Sequence, residues 1–197
     1  MTPIPITVVG AGYVGSVTAV CLAAMGHEVT CVDSNPERVE AIRRGQAPVA
    51  EPGLSELLGE SLSAGRLRAT TDLVGAVAAS RLTMLAVGTP LTGQTMDLSA
   101  LANACERIGR GLREQTAYHV VVVRSTVVPG TTETLVRQRV LQASGRPEDT
   151  VGFCMNPEFL REGSAVDDAR HPDRIVIGQW DARSGDALAA VYPPYPC

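Results

Sequence analysis

The sequence has 197 residues, of which 45% are hydrophobic and 19% charged, with a formal net charge of −4. This length and composition predict one globular domain with a full hydrophobic core. Scattered basic residues on an acidic chain exclude a typical nucleic-acid binder, and no apolar run reaches the ~18 residues of a membrane span. The first residues also lack the pattern of a signal peptide, so we expect a cytoplasmic protein with neither nucleic-acid nor membrane partners.

The five cysteines show neither paired nor metal-like spacing, and their number is odd. We expect Cys21, Cys31, Cys105 and Cys154 to be buried thiols, because each falls in a predicted helix or strand. Cys197 is terminal, and we expect it to be exposed. The sequence predicts no metal site.

A glycine-rich turn follows the first predicted strand, residues 6–9, in the spacing G-x-G-x-x-G. Gly10 would permit the tight turn, and Gly12 would remove a side chain that keeps a pyrophosphate off the backbone. Gly15 would let the next predicted helix, residues 14–25, lie close to the sheet. The amino-terminal end of that helix would face the phosphates with free N–H groups. The turn predicts a dinucleotide site, with an ordinary strand–turn–helix as the alternative.

An acidic residue ends the second predicted strand, residues 28–32. Asp33 follows Gly15 at close to the ~20-residue distance at which such an acid binds a ribose hydroxyl pair. Its carboxylate would repel a 2′-phosphate, which favours NAD over NADP. Arg38 is near enough in sequence to shield that phosphate, so the preference is not absolute.

The rest of the chain alternates predicted helices with predicted strands. Helices are predicted over residues 36–44, 54–64, 73–79, 98–113, 131–142 and 183–191, and strands over residues 66–70, 82–87, 118–124, 149–155 and 174–177. This alternation predicts an α/β fold with a doubly wound, mostly parallel sheet of the Rossmann type. We take residues 1–191 as this domain and residues 192–197 as a proline-rich tail that cannot be helical.

Two later strand ends carry further candidate residues. Thr89 and Pro90 follow one apolar strand, and Ser125 and Thr126 follow another. Ligands of doubly wound sheets bind beyond the carboxyl ends of the strands. Thr89 is therefore a candidate cofactor contact, with plain turn chemistry as the alternative.

With these segments in place, the chain resembles the amino-terminal domain of the UDP-glucose/GDP-mannose dehydrogenase family, most closely its GDP-mannose members. The matching stretches, in the family's order, are G-A-G-Y-V-G, G-H-E-V-T-C-V-D, E-P-G-L, V-G-T-P, V-V-V-R-S-T-V-V-P-G-T, N-P-E-F-L-R-E-G and D-R-I-V-I-G. They cover nearly the whole chain, and N-P-E-F-L-R-E-G is the most specific.

The resemblance implies a site for each part of NAD and for a sugar nucleotide. The residues that it places around the pyrophosphate are Gly10, Gly12, Tyr13, Val14 and Gly15. It places Asp33 and Arg38 at the adenosine ribose, and Thr89, Pro90 and Thr126 on the nicotinamide side. It makes Phe159, Leu160, Arg161 and Glu162 the lip of the nucleotide-sugar pocket.

Family enzymes oxidise a primary alcohol of the sugar to a carboxylate with two NAD per turnover. The resemblance implies that Thr126 and Glu162 position a water involved in proton transfer. Chemistry makes this plausible, because an alcohol loses hydride only as its proton is withdrawn, and a carboxylate suits that work. On sequence alone, Glu162 is equally a solvated loop carboxylate or a helix-cap partner. We assign no catalytic role to His119 or His171.

The chain departs from the family at its second oxidation step. That step uses a cysteine in a downstream Gly-Gly-x-Cys stretch, with a lysine and an asparagine, and this sequence lacks that stretch. It also lacks the family's central helix and second domain, and Cys197 matches no such motif.

Three interpretations stay open. The chain is the NAD-binding part of a nucleotide-sugar 6-dehydrogenase, truncated and inactive alone; or a stand-alone oxidoreductase that performs only the alcohol/aldehyde step on a nucleotide or nucleoside; or a non-catalytic NAD-binding or partner module. We expect a nucleotide or nucleotide-sugar ligand, and either a homo-oligomer or association with a missing carboxy-terminal half.

Overall fold

The computed structural model describes residues 2–192, and these residues form a seven-stranded sheet, a two-stranded hairpin and helices on both faces of the sheet. The strands are β1 (Pro5–Val9), β2 (Glu28–Val32), β3 (Leu67–Thr70), β4 (Leu82–Leu85), β5 (Leu91–Thr92), β6 (Thr95–Met96), β7 (His119–Val123), β8 (Val151–Met155) and β9 (Gly178–Gln179). The α-helices are α1 (Tyr13–Ala24), α2 (Pro36–Arg43), α3 (Leu54–Ser63), α4 (Leu73–Ala78), α5 (Ser99–Leu112), α6 (Arg137–Ser144), α7 (Ala165–Arg170) and α8 (Ala182–Ala189).

The large sheet has the order β3-β2-β1-β4-β7-β8-β9. All neighbours pair in parallel except β9, which pairs antiparallel with β8 at the sheet edge. The direction of winding reverses between β1 and β4, which is the point where doubly wound sheets bind their ligands. The predicted fold class, a doubly wound and mostly parallel sheet, is confirmed.

The register brings the strand ends together at one edge. Val9 pairs with Val32 on one side and with Leu85 on the other, and Leu85 pairs with Val123. Val123 in turn pairs with Met155. The loops after these five strands therefore leave the sheet side by side, and they carry most of the predicted site residues.

The core has two layers, one on each face of the sheet. Side chains of α1, α2, α3, α7 and α8 pack on one face, and those of α4, α5 and α6 pack on the other. Within β7, Val120 and Val122 point to the first layer, whereas Val121 and Val123 point to the second. This alternation is the period-two pattern of a strand buried on both faces. Cys21, Cys31, Cys105 and Cys154 are buried free thiols, as predicted.

A polar network links β1, β4 and β7 near the start of β7. His119 is fully buried, and its Nδ1 donates to the carbonyl of Ser80 at 3.2 Å, which leaves Nε2 to accept from the Thr83 hydroxyl at 2.9 Å. Thr7 donates in turn to the Ser80 hydroxyl at 3.0 Å. Burial lowers the pKa of His119 to about 3. The histidine is therefore a neutral core residue with fixed partners.

The predicted strand over residues 174–177 is wrong. This segment runs beside the loop after β8, where the Asn156 amide donates to the carbonyl of Val176 at 2.9 Å, and the sheet strand comes later, at β9. Three further elements escaped prediction: the β5–β6 hairpin, α7, and a 3₁₀ turn at Glu148–Thr150 where β8 was expected to begin. The helix expected over residues 131–142 starts as a π-helical turn, Thr132–Val136, and continues as α6.

The predicted tail falls almost entirely outside the described residues, as does Cys197. Within residues 2–192, no helix combines the length and the apolar character needed to cross a membrane. The same part of the chain holds no group of three or more His, Cys, Asp or Glu side chains arranged to bind a metal.

Candidate cofactor and substrate site

The three glycines after β1 occupy three different environments. Gly10 has a φ of 101°, and a Cβ there would lie 2.5 Å from the carbonyl oxygen of Ala86. A Cβ on Gly15 would lie 1.7 Å from the carbonyl oxygen of Gly10, so only glycine lets α1 start this close to the turn. Gly12 differs, because a Cβ there would meet no atom within 4 Å. The space beside Gly12 is open, as a pyrophosphate lying on the backbone requires.

The start of α1 faces this open space. Gly12 is the N-cap residue, and its position offers no side chain to cap the N–H groups of the first turn. The first turn of α1 also contains no acidic residue. The positive end of the helix dipole is thus left for an anion at the turn. Tyr13 and Val14, both predicted at the pyrophosphate, are the first two residues of this turn.

Asp33 holds the glycine turn from the end of β2. Its side chain is 8% exposed, and it accepts from the N–H of Ala11 at 2.7 Å and of Asn35 at 2.8 Å. Arg38 reaches the same carboxylate from α2 at 3.5 Å. The predicted ribose ligand is therefore also a brace that fixes the turn, and the predicted neighbour Arg38 does lie beside it.

A cleft of about 730 Å³ opens at this edge of the sheet. It is lined by residues of the glycine turn, the loops after β2 and β4, the start of α4 and α5 as far as Arg107, together with Arg38 of α2. Gly10, Gly12, Asp33 and Arg38, all predicted cofactor residues, are among its lining residues. Its volume falls in the range of small-molecule and cofactor sites.

The loops after β4 and β7 are joined to each other. The Thr89 hydroxyl donates to the carbonyl of Thr126 at 2.6 Å, and the Ser125 hydroxyl donates to the carbonyl of Val87 at 2.7 Å. Thr89 and Thr126, predicted for the nicotinamide side, are thus brought together. Pro90 follows in the same loop and is exposed.

The predicted lip, residues 159–162, lies in the loop after β8. Phe159 is partly exposed and stacks on the guanidinium of Arg174, which lies 4.4 Å from the ring centre. The N–H of Leu160 donates to the Glu158 carboxylate at 2.7 Å. Glu162 is exposed. A smaller cleft of about 230 Å³ separates this lip from α1.

Arg161 is engaged within the protein. Its backbone N–H donates to the Asp168 carboxylate at 2.9 Å, and its guanidinium pairs with the same carboxylate. The Ser164 hydroxyl also donates to Asp168, at 3.1 Å. The hydrogen bond from Arg161 lowers the pKa of Asp168 to about 2. The predicted substrate contact of Arg161 would therefore require this ion pair to open or to be shared.

Two sets of hydrogen bonds anchor the lip, and their central residues, Arg124 and Glu51, were not predicted as site residues. The first begins at Arg124, whose guanidinium donates to the Thr18 hydroxyl at 3.0 Å and to the Asn156 amide oxygen at 2.6 Å. The Tyr192 hydroxyl donates to the same oxygen at 2.6 Å. Asn156 opens the lip loop, so this set ties the loop to α1.

The second set centres on Glu51, which is 9% exposed. Its carboxylate accepts from the Tyr13 hydroxyl at 2.6 Å, from the N–H of Gly163 and, at 3.0 Å, from the N–H of Ala165. The bond from Tyr13 is the main reason that the pKa of Glu51 is lowered. Glu51 is the first residue of the E-P-G-L stretch. That motif was the one sequence feature that marked Glu51, but it does not indicate which residues the carboxylate binds.

The glycine turn and the lip lie close together, because the Tyr13 hydroxyl is 3.3 Å from the carbonyl oxygen of Arg161. Burial raises the pKa of the Tyr13 hydroxyl above its usual range, and the carboxylates of Glu51, Glu162 and Asp168 raise it further. The lip and the turn are therefore electrostatic neighbours.

The sheet order, the glycine turn with its open side and the braced acid at the end of β2 define a dinucleotide-binding domain of the Rossmann class. The comparisons with known proteins narrow this class. The chain belongs to the UDP-glucose/GDP-mannose dehydrogenase family, whose NAD binding domain matches residues 4–195.

The relatives are nucleotide-sugar dehydrogenases from bacteria and archaea. The chain is 45% identical over 190 residues to a GDP-mannose 6-dehydrogenase of Azotobacter vinelandii, covering 95% of this chain and 43% of the relative. A GDP-mannose dehydrogenase from Pseudomonas aeruginosa, solved as a ternary complex, superposes with a TM-score of 0.93 at 41% identity, over 96% of this chain and 44% of that one. A UDP-glucose dehydrogenase from Pyrobaculum islandicum gives 0.93 at 46% identity, over 97% and 44%. The chain thus spans less than half the length of these relatives.

Proposed function

We propose that residues 1–191 form the cofactor-binding portion of an NAD-dependent nucleotide-sugar 6-dehydrogenase, which oxidises the primary alcohol of a sugar nucleotide of the GDP-mannose or UDP-glucose type. The observation that supports this most is the cleft lined by Gly12 and Asp33, in a chain that belongs to this family. The protein would act in the cytoplasm and would pair with a carboxy-terminal half or with a second copy of itself.

The residues in and beside the cleft suit the parts of NAD. The open side of Gly12 and the first turn of α1, with Tyr13, Val14 and Gly15, would hold the pyrophosphate. Asp33 would bind the adenosine ribose with Arg38 beside it, and its charge would disfavour the 2′-phosphate of NADP. Thr89, Pro90 and Thr126 do not line the cleft itself, and they would contact the nicotinamide where it extends past Gly88 toward the loops after β4 and β7.

The chemical role that we propose for this chain is to remove the hydroxyl proton of the substrate alcohol. NAD supplies the hydride acceptor when bound. An alcohol can give up a hydride only as its hydroxyl proton leaves, so a base or an oriented water must be within hydrogen-bond reach. We assign Glu162 and the Thr126 hydroxyl to holding that water. Phe159, Leu160 and Arg161 would form the edge that contacts the sugar nucleotide.

Titration calorimetry of the purified chain with NAD and NADP tests the proposal. We expect one NAD site, with NADP at least about tenfold weaker, because Asp33 repels the additional phosphate. Asp33→Asn should weaken NAD binding by about tenfold or more. Asp181→Asn is the matched control, since Asp181 also follows a strand and accepts from a backbone N–H, that of Ser184 at 2.9 Å, but its helix α8 contributes no residue to the cofactor cleft.

A folded chain that binds no NAD would overturn the proposal. Assays of the chain with NAD and either GDP-mannose, UDP-glucose or a nucleoside separate the alternatives. We expect no reduced nicotinamide from the chain alone. If it is produced, and if Glu162→Gln abolishes it, the chain is instead a stand-alone oxidoreductase for the alcohol/aldehyde step.

A further inference from the structure

Glu51 joins three segments of the site that are far apart in the chain. It lies in the link between α2 and α3, whereas its partners are Tyr13 at the start of α1 and the N–H groups of Gly163 and Ala165. One carboxylate therefore contacts both the glycine turn and the loop that carries Glu162. The Tyr13 hydroxyl also lies 3.3 Å from the carbonyl of Arg161, on the other side of Glu162.

Because Glu51 binds both Tyr13 and the backbone after Glu162, neither the glycine turn nor the lip can shift without affecting these bonds. Gly163 has a φ of 89°, so the backbone just after Glu162 adopts a conformation that most side chains disfavour. The two N–H bonds to Glu51 hold the chain in that conformation as it enters α7. Hydrogen bonds to an ionised carboxylate are the strong ones, and a buried carboxylate without donors is costly. A shift of Tyr13 would thus be transmitted to the backbone on both sides of Glu162.

We propose that Glu51 is a positioning residue that couples occupation of the cofactor cleft to the placement of Glu162, acting through Tyr13 on one side and through Gly163 and Ala165 on the other. This inference rests on the proposed function, because it requires NAD at the glycine turn. A ligand that packs against the start of α1 restricts Tyr13. The restricted Tyr13–Glu51 bond then stabilises the ordered form of the lip.

Amide hydrogen exchange at Gly163 and Ala165, measured by NMR with and without saturating NAD, tests the coupling. In the wild-type chain we expect NAD to slow exchange at both amides by about tenfold. In Tyr13→Phe the bonds from Glu51 to the lip are retained, but the link to the turn is lost. At an NAD concentration that saturates the variant, set from its own titration, we expect the slowing to fall below about twofold.

Glu51→Gln tests the other half of the connection. One carboxylate oxygen becomes an NH₂ group that cannot accept. Gly163 and Ala165 donate to different oxygens of Glu51, so exchange at one of these two amides should accelerate by about tenfold or more even without NAD. Asp181→Asn is the control, because Asp181 is a carboxylate that caps α8 by accepting from Ser184 at 2.9 Å, away from the turn. It should leave exchange at the lip unchanged.

The outcomes separate this inference from the proposed function. If the wild type binds NAD and Tyr13→Phe shows the same slowing as the wild type, the coupling through Glu51 is disproved while the cofactor assignment stands. If the folded wild-type chain binds no NAD, the proposed function fails and the coupling fails with it. Circular dichroism of each variant identifies loss of fold. Should Tyr13→Phe not fold, an exchange pattern in Glu51→Gln that responds to NAD as in the wild type would still refute the coupling.

Discussion

The glycine turn and the lip face each other across the site, yet they are held in place in opposite ways. The turn is built mainly by backbone packing, of the stretch from β1 to Asp33 on itself and on Ala86 after β4, with Asp33 as its brace. The lip has little regular structure between Asn156 and α7, and it is held by the side chain of Arg124 after β7 and by side chains from the α2–α3 link and from α7.

This difference teaches which changes each region can accept. The turn has no room for an added methyl group at Gly10 or Gly15, so substitutions that add side-chain volume there should destabilise it. The lip depends on carboxylates that accept several bonds, Glu51 and Asp168, so it responds to loss of charge and of acceptors. A rigid turn opposite an adjustable lip suits a site that binds a common cofactor and a more variable substrate.

The largest effect should come from adding volume to the turn. Gly15→Ala places a Cβ 1.7 Å from the carbonyl oxygen of Gly10, and the backbone must move to relieve the clash. We expect urea denaturation to show a loss of about 4 kcal/mol or more in the free energy of unfolding. The matched variant is Gly12→Ala, whose Cβ meets no atom within 4 Å. It should change the free energy of unfolding by less than about 1 kcal/mol while weakening NAD binding by about tenfold or more.

Equal destabilisation by the two alanine substitutions would break the comparison, because it would mean that the open side of Gly12 is filled. Unchanged NAD affinity in Gly12→Ala would contradict a different part of the prediction, because it would mean that the pyrophosphate does not lie beside Gly12.

Acid should weaken the sheet before it weakens the lip. Burial lowers the pKa of His119 from 6.5 to about 3, so the unfolded chain binds a proton that the folded chain refuses as pH falls between these values. At about pH 5 this costs about 2 kcal/mol relative to neutral pH, and His119→Gln should lack that part of the pH dependence. The pKa of Asp168 is about 2, so its pairing with Arg161 persists at this pH.

Two measurements check this expectation. Urea denaturation of both proteins at about pH 7.5 and about pH 5 gives the difference in free energy. NMR titration of the His119 ring, which needs no variant, should show a neutral ring throughout that range. Protonation of the His119 ring near pH 6 in the folded protein would contradict its buried position.

The sequence predicts the turn well because its determinants are local. Strand periodicity, glycine spacing and the distance to Asp33 lie within one β–α–β unit, so propensity and fold agree there. The doubly wound, mostly parallel sheet follows from the alternation of helices and strands along the chain. The predicted strand over residues 174–177 failed for a different reason. Its β-branched residues favour a strand, but Asn156 binds the carbonyl of Val176 beside the lip.

The connections of the lip were hidden because their partners are distant in sequence. Glu51 precedes Gly163 by 112 positions, and no local pattern links a carboxylate in a turn-rich segment to those amides. The six residues of α7 are too few, and too polar, to show helical periodicity. The resemblance to a family named the residues of the lip without indicating what holds them.

The smallest effect should come from Asp168→Asn, and it should be local. The Asp168 side chain is 10% exposed and its partner Arg161 is 74% exposed, so solvent screens the pair and the free energy of unfolding should fall by only about 1 kcal/mol. The lip, however, loses its bidentate clamp, and tryptic cleavage after Arg161 should accelerate by about fivefold. Asp167→Asn is the matched control, because it removes the same charge one position away, from an exposed pair with His171. NAD affinity should stay within about twofold of wild type in both variants, since neither side chain lines the cofactor cleft. A large loss of NAD affinity in Asp168→Asn alone would mean that the lip supports the turn as strongly as the turn supports the lip, and the contrast between a rigid turn and an adjustable lip would no longer hold.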